Sequence, residues 1–344
     1  MKKVIFILAL ALTGSMTFAQ DTPLEISGSA DLYYKYDFSK TANIPTSFAT
    51  DQNSVSLGMI DVALKKTTGK TSFVGEVSFG PRGQFQSIPN GDGASLNEGN
   101  SFHIQNLYAT YAATDKLSFT AGYMGTFVGY EVISPLANFH YSTSYLFTNG
   151  PFQNAGVKAN YSFSDKVGLM VGLFNDQWNT YAAMPEFGLN AIGAQLSLAP
   201  VDGVSAYLNF MDGSEAGTIF DLTASFKLTE KFTLGVNAAD FKHGNVLSYD
   251  YTGVALYPSV AISDSFALGL RAEYFDYKDL YEDVDGNFDS SVTAFTLSAN
   301  YKAGGLTIIP EFRLDSNKNN VFLDSDMMPT KSASQFTVGV VYGF

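Results

Sequence analysis

The sequence predicts an all-β protein, a transmembrane antiparallel up-and-down β-barrel of about sixteen strands. Three observations predict it: apolar and polar residues alternate with a period of two, short polar turns recur between the alternating segments, and aromatic residues are abundant. Phe (29 residues) and Tyr (20 residues) make up most of the 15% aromatic share of the 344 residues. A lipid-facing barrel needs such residues at both membrane interfaces. Fourteen or eighteen strands are the neighbouring solutions.

The alternation is clearest in the last segment, Phe336 to Phe344, where even positions are bulky and apolar and odd positions are mostly small or polar. Residues 220–228, 117–123 and 270–274 follow the same pattern. Successive side chains of a strand point to opposite faces, so each segment has one face for lipid and one polar face. A break in the pattern at 59–61 suggests a β-bulge.

Short polar connections separate pairs of these segments, and their Asp, Ser and Gly residues tolerate the backbone angles of tight turns. Longer connections alternate with the short ones, which gives sixteen strands with both termini on the short-turn side. This asymmetry is typical of outer-membrane barrels, whose short turns face the periplasm and whose long loops are extracellular. The seven predicted turns are 67–70, 114–116, 164–166, 200–203, 229–231, 263–265 and 303–305. Clear examples of the eight predicted longer connections are 80–101, 131–153, 278–290 and 315–333.

The N-terminus has the pattern of a secretory signal peptide. Lys2 and Lys3 precede a short apolar run, and small residues at Thr17 and Ala19 suit a cleavage site, so we expect residues 1–19 to be removed. The barrel then occupies 20–344. The apolar run is too short to cross a bilayer as a helix.

The C-terminus adds an assembly signal. Phe344 ends an amphipathic strand with Tyr342 two residues before it, as is common in outer-membrane barrels that the barrel-assembly machinery recognises. We therefore expect that machinery to be a partner, together with outer-membrane lipid and lipopolysaccharide.

The composition excludes several classes of protein. The chain has no Cys, which excludes disulfides, thiol catalysis and thiolate metal sites. Without Lys2 and Lys3, 18 basic and 33 acidic residues leave a net charge of about −15. A nucleic-acid partner is not expected, because phosphate binding needs a basic surface. No cofactor is predicted.

Several stretches resemble the OmpL-like β-barrel porins of Bacteroidetes-type bacteria. They are Gly28 to Phe38, Ile104 to Tyr111, the following segment through Glu131, and the stretch from Ser134 to Phe152 that leads into Gly156-Val157-Lys158. The resemblance covers essentially the whole exported chain. It implies a barrel and a passive channel, without a defined substrate.

Inward-facing charges are the candidates for solute selectivity. Arg271 and Glu273 on the thirteenth strand, and Glu311 and Arg313 on the fifteenth, lie at similar distances from their preceding turns, with Thr296 between them. We expect one charged patch near mid-height, whose transverse field would favour small polar solutes. The alternative is that these residues pair with one another and affect no measurable property. Further candidates with weaker clustering are Asp31, Lys35, Glu76 and Lys158.

The connection 131–153 is the candidate constriction loop, because it is long, rich in Tyr and Phe, and apolar for a surface loop. An aromatic rim at the outer membrane interface is the alternative, and only the depth of the loop separates the two. The candidate residues of the loop are Glu131, His140, Tyr141 and Tyr145.

Catalytic and metal-binding interpretations have little support. His140 and Ser142 have the His-x-Ser spacing of outer-membrane lipid hydrolases, but they lie in a predicted loop and no Gly-x-Ser-x-Gly elbow is present. The acidic stretch 279–289 partly resembles a calcium loop, yet Phe288 takes the position that requires Gly. A solvated acidic loop is the simpler interpretation, and we predict no metal site and no enzyme.

The sequence thus predicts an outer-membrane channel for passive diffusion of small hydrophilic solutes or ions. A surface barrel that acts as an adhesin or receptor through its loops is the alternative, and a lipid hydrolase is a distant third. The protein is predicted to be a monomer or a homotrimer.

Overall fold

The computed structural model describes residues 21–82, 102–244, 249–278, 282–283, 286–287 and 290–344. Within these residues, sixteen strands pair in chain order and form one closed antiparallel barrel, in which the last strand pairs with the first. The predicted fold and strand number are therefore confirmed. The predicted signal peptide, 1–19, and most of the loop 80–101 lie outside the described residues.

The strands vary from eight to fifteen residues. In chain order they are β1 Glu25–Asp37, β2 Ser54–Thr68, β3 Thr71–Phe79, β4 Phe102–Ala112, β5 Leu117–Gly125, β6 Gln153–Ser164, β7 Val167–Phe174, β8 Ala191–Leu198, β9 Val204–Gly213, β10 Gly217–Lys227, β11 Phe232–Lys242, β12 Asp250–Ala261, β13 Phe266–Lys278, β14 Ser290–Ala303, β15 Leu306–Asn317 and β16 Ser332–Gly343.

A few short elements lie outside the barrel wall. Two small hairpins pair Glu282–Asp283 with Gly286–Asn287 and Phe322–Leu323 with Pro329–Thr330. Helix α1, Tyr145–Asn149, lies in the connection between β5 and β6. Among the helices of the described residues, none has the length and apolar character needed to cross a membrane.

The two faces of the wall follow the predicted alternation. On β1, Leu32 points outward and is 40% exposed, whereas the next residue, Tyr33, is 3% exposed. The outward residues of all sixteen strands are largely apolar, which suits contact with lipid. The seven predicted short turns each join a strand pair, and they share one end of the barrel with both termini of the wall.

A bulge and a connection differ in detail from the expectation. The bulge expected at 59–61 lies at Gly58 and Met59, which together oppose the single residue Asp31 between the pairs Ala30–Ile60 and Leu32–Leu57. The connection between β9 and β10, expected to be long, has only three residues, 214–216. Asp176 stabilises this tight turn by accepting hydrogen bonds from the amides of Ser214, Glu215 and Ala216.

The buried core lies between the wall and loops that enter the barrel. Residues 126–152, called the inserted loop below, fold into the lumen and pack against the inward faces of the later strands. The first connection, 38–53, also turns inward, and Arg82 after β3 is buried with it. These segments determine the shape of the lumen.

Candidate pore constriction

The inserted loop spans most of the depth of the barrel. Near the extracellular end, the Asn149 side chain bonds to the hydroxyls of Tyr277 on β13 and of Tyr249. Leu136 lies against Gly343, at the periplasmic end of β16. The loop therefore lies along the inner wall and not on an outer rim.

The wall accommodates the loop through inward-facing glycines. A Cβ atom at any of these positions would come within 3.0 Å of a loop side chain, so the loop needs the missing side chain to approach the strand backbone. The pairs lie on β8, β11, β12, β13 and β16. They are Gly193 with Phe127, Gly235 with Tyr130, Gly253 with Leu146, Gly269 with Phe139, Gly339 with Tyr141, and Gly343 with Leu136.

Arg271 on β13 binds the middle of the loop. Its guanidinium forms an ion pair with Glu131 at 2.7 Å and donates hydrogen bonds to the carbonyls of Ser142 and Thr143 at 2.6 and 3.1 Å. A further bond reaches the Thr296 hydroxyl on β14 at 3.1 Å. Arg271 is fully buried. A buried guanidinium needs such acceptors, because its desolvation is otherwise uncompensated. Both terminal nitrogens of Arg271 are bonded, whereas its Nε has no hydrogen-bond partner among the described residues.

Arg313 on β15 binds the same loop segment. It forms a bidentate pair with Asp315, at 2.8 and 2.9 Å, and donates to the Thr143 carbonyl at 2.8 Å. It also donates to the hydroxyl of Thr46, which belongs to the first connection. Thr143 thus receives a hydrogen bond from each of the two arginines.

The carboxylates of the predicted patch bind backbone amides of the loop. Glu273 accepts from the amides of Tyr145 and Leu146, at 3.0 and 2.8 Å, at the start of α1. Glu311 accepts from the amide of Tyr141 at 3.0 Å and from the Ser298 hydroxyl at 2.8 Å. Negative charge near a helix N-terminus is favourable because the first amides of a helix have no partner within it.

The structure thus brings the four residues of the predicted patch together, but the inserted loop covers them. Arg271 and Arg313 have no exposed surface, and Glu273 and Glu311 are each 2% exposed. A solute in the lumen meets the loop and not these charges. Sequence alone places all four residues on the inner face. It does not show that they bind the loop segment 141–146.

A second anchor lies beside β1. Asp31 accepts hydrogen bonds from Arg82 at 3.0 Å, the Tyr141 hydroxyl at 2.5 Å and the Met59 amide at 2.9 Å. Arg82 was not among the predicted residues. Its sequence context, the end of a strand before a long connection, carries no signal that it turns inward.

Lys35 and the first connection complete this side. Lys35 is buried and lies within electrostatic range of Asp37 and Asp51. In the first connection, Ser47 bonds to Thr148 and Thr143 through its amide and carbonyl, both at 2.8 Å. The sequence analysis did not predict that this connection enters the lumen.

The opposite wall carries the remaining two charges. Glu76 on β3 and Lys158 on β6 point inward and keep part of their surface exposed. Glu76 accepts a hydrogen bond from the Asn106 amide at 2.5 Å. Lys158 has no hydrogen-bond or ion-pair partner among the described residues. The loop leaves this sector uncovered.

His140 does not occupy a catalytic arrangement. In a hydrolase triad the histidine lies between the serine and the acid, whereas here Ser298 lies between His140 and Glu311, at 2.7 and 2.8 Å. Ser142 bonds to Arg271. All of these side chains are buried.

The structure describes only some of the residues on which the metal and assembly predictions depend. Most of the acidic stretch 279–289 lies outside the described residues, and the rest of the described chain has no cluster of His and acidic residues that could hold a metal ion. Phe344 and Tyr342 are exposed at the periplasmic end, where the Phe344 amide and carbonyl both bond to Gly28. Their role as an assembly signal stays a prediction.

A closed sixteen-stranded barrel with an inserted loop defines the class of outer-membrane β-barrels. Residues 23–344 match the family model "Putative beta-barrel porin-2, OmpL-like". The chain therefore belongs to this family, as the resemblance predicted. No curated protein matches the sequence.

Solved structures support the same fold. The outer membrane channel DcaP of Acinetobacter baumannii has a TM-score of 0.61 and 13% identity, with 93% of this chain and 97% of that chain covered. A loop L8 deletion mutant of OmpT from Vibrio cholerae has a TM-score of 0.60 and 14% identity, with 94% and 99% covered. An anion-selective porin from Comamonas acidovorans has a TM-score of 0.60 and 13% identity, with 94% and 100% covered.

Proposed function

We propose that the protein is a passive outer-membrane channel for small hydrophilic solutes or ions, and that the inserted loop is its constriction. A sixteen-stranded closure leaves a water-filled lumen. The observation that carries the proposal is the position of the loop, which covers one side of the lumen, while inward residues in the periplasmic half of β3, β4 and β6 on the other side keep part of their surface exposed.

The covered side comprises the inward faces of β10 to β16 and of β1, and the start of the loop also contacts β8, where Phe127 lies against Gly193. The loop is held there by the buried ion pair of Glu131 with Arg271, by hydrogen bonds to its backbone and by side chains that pack on glycines. On the open side, polar inward residues of β3, β4 and β6 remain partly exposed. They include Glu76, Tyr108, Thr110, Lys158 and Asn160. Size exclusion at the loop and the charges of the open side would then set what passes.

The same proposal includes the route to the membrane. Export would use the signal peptide 1–19, and insertion would depend on Phe344 at the end of β16. The apolar outer face would contact lipid and lipopolysaccharide. Both a monomer and a homotrimer fit this surface; one of the structural relatives, OmpT of Vibrio cholerae, is described in a trimer form.

Planar-bilayer conductance of the refolded protein tests the channel. We expect stable open steps, and a Gly339→Ala variant should change their size, because the new Cβ would displace the Tyr141 ring and with it the constriction. Gly125→Ala is the matched control, since a Cβ at Gly125 meets only the Asn106 side chain at 3.8 Å. A folded, inserted barrel without conductance would refute the channel and favour an adhesin or receptor. Equal step sizes in both variants would refute the constriction role.

A further inference from the structure

The open wall carries two opposite charges at the same level of the barrel. Glu76 lies six residues above Lys70 in the turn before β3, and Lys158 lies seven residues above Asp165 in the turn after β6. Both turns are on the periplasmic side, and strands of one barrel share a common tilt. The similar separation from these turns therefore gives the two residues similar heights.

The two charges differ in what surrounds them. Lys158 lies between Thr120 on β5 and Gly172 on β7, and neither neighbour is an anion. Glu76 is bonded to Asn106, and Asp61 on the adjacent β2 lies within its electrostatic range. The wall therefore has a positive side at β6 and a negative side at β2 and β3.

The surface between the charges is polar and neutral. Tyr108 faces the lumen from β4, and the hydroxyls of Thr110 and Thr120 bond across β4 and β5 at 2.9 Å. Gly122 on β5 pairs with Tyr108 and adds no charge to this surface. Three strand spacings separate the backbones of β3 and β6, about 14 Å along the wall, and the side chains reach inward from both.

Resting on the proposed channel function, we infer that Lys158 and Glu76 are the specificity-determining residues and that they select zwitterionic solutes. A solute carboxylate is attracted by Lys158, and its ammonium group by Glu76. A simple anion or cation is attracted by one residue and repelled by the other, whereas an extended zwitterion such as a short peptide gains at both ends.

Liposome swelling with the reconstituted barrel tests the inference. The probes are triglycine, which is a zwitterion at neutral pH, and its uncharged analogue N-acetyl-diglycine amide, of similar size. We expect triglycine to pass through the wild-type protein about threefold faster than the uncharged analogue. A ratio of this size corresponds to one weak Coulombic attraction in water. Lys158→Gln and Glu76→Gln should each lower the triglycine rate to that of the analogue and leave the analogue unchanged.

Two further variants sharpen the test. Lys302→Gln removes an exposed charge at the periplasmic end of β14 and should leave the preference intact. The exchange variant Glu76→Lys/Lys158→Glu reverses both poles, so a zwitterion can enter in the opposite orientation and the preference should return. Equal rates for both probes in the wild-type protein, or a folded exchange variant without preference, would overturn the inference. Passage of neither probe would instead contradict the channel itself.

Discussion

At the scale of single residues, Arg271 shows how the lumen is organised. Four of its side-chain hydrogen bonds join β13 to a loop segment about 130 residues earlier in the chain, and a fifth reaches Thr296 on β14. Glu131, its ionic partner, is also bonded to the amide and hydroxyl of Ser144. Both charged side chains are buried, so they bind the loop and do not contact a solute directly.

Replacement of Arg271 by Leu should therefore detach the loop. The change leaves the Glu131 carboxylate buried without its cation, which costs about 3–5 kcal/mol. We expect faster proteolysis within 131–152 and a lower urea midpoint of unfolding. Lys227→Gln is the control, because the exposed pair of Lys227 with Glu230 contributes less than about 1 kcal/mol. Unchanged proteolysis in Arg271→Leu would contradict the anchoring role.

Sequence reasoning placed these residues on the correct face but could not identify their partners. Period-two alternation determines the direction of Arg271, Glu273, Glu311 and Arg313, since it follows from strand geometry alone. Their partners depend on how a distant loop folds, and that fold depends on contacts that local sequence does not encode. For the same reason Arg82 was missed.

At the scale of elements, the connection 175–190 illustrates how an extracellular loop is fixed. Asp176 is buried and accepts hydrogen bonds from three amides of residues 214–216 and from the Ser214 hydroxyl. Burial alone would raise the pKa of Asp176, but these hydrogen bonds, foremost that of the Ala216 amide, lower it below its usual value.

The contact should accordingly depend on pH. Because the pKa of Asp176 is lower in the folded loop than in the unfolded chain, its stabilisation is complete above about pH 4 and is lost as the pH falls through the folded value. The protection of the amides of residues 214–216 against hydrogen exchange, taken relative to the intrinsic rate at each pH, should fall there. In Asp176→Asn the amides of residues 214–216 should exchange rapidly at every pH. In Asp202→Asn, a change in a periplasmic turn, they should exchange as in the wild-type protein. Slow exchange at neutral pH in Asp176→Asn would contradict this.

The strands and short turns were predictable, and the apolar composition of 131–153 favoured a course inside the barrel, whereas the path of the first connection was not predictable. Strands such as β16 repeat one rule along their length, and turns are marked by Asp, Ser and Gly. The inward course of residues 38–53 has no such marker, because Ser47 and Phe48 gain their contacts only once the inserted loop is in place.

At the scale of the whole molecule, the inserted loop bridges the seam where the barrel closes. The Tyr141 ring packs on Gly339 of β16, and its hydroxyl bonds to Asp31 of β1. Near the periplasmic end, Ser134 bonds to Ser29 of β1 at 3.3 Å, while Leu136 lies on Gly343 of β16. The loop thus links the first and last strands from inside.

Tyr141→Ala should weaken this closure. Removal of a buried aromatic side chain costs about 3–5 kcal/mol, and here it also leaves Asp31 with one donor fewer. We expect the temperature at which the folded band is lost on electrophoresis to fall clearly. Tyr161→Ala is the control, since Tyr161 is on the outer face and partly exposed. An equal shift in both variants would mean that the seam has no special dependence on Tyr141.

The row of inward glycines has a consequence for anyone who wishes to reshape this protein as a nanopore. The diameter of the passage depends on these glycines, because the loop packs directly on the wall backbone at each of them. Trimming the loop would not simply widen the bore, because it would uncover Arg271, Arg313, Glu273 and Glu311 at once. An engineered pore would therefore change its charge together with its diameter, and the two would have to be redesigned as one.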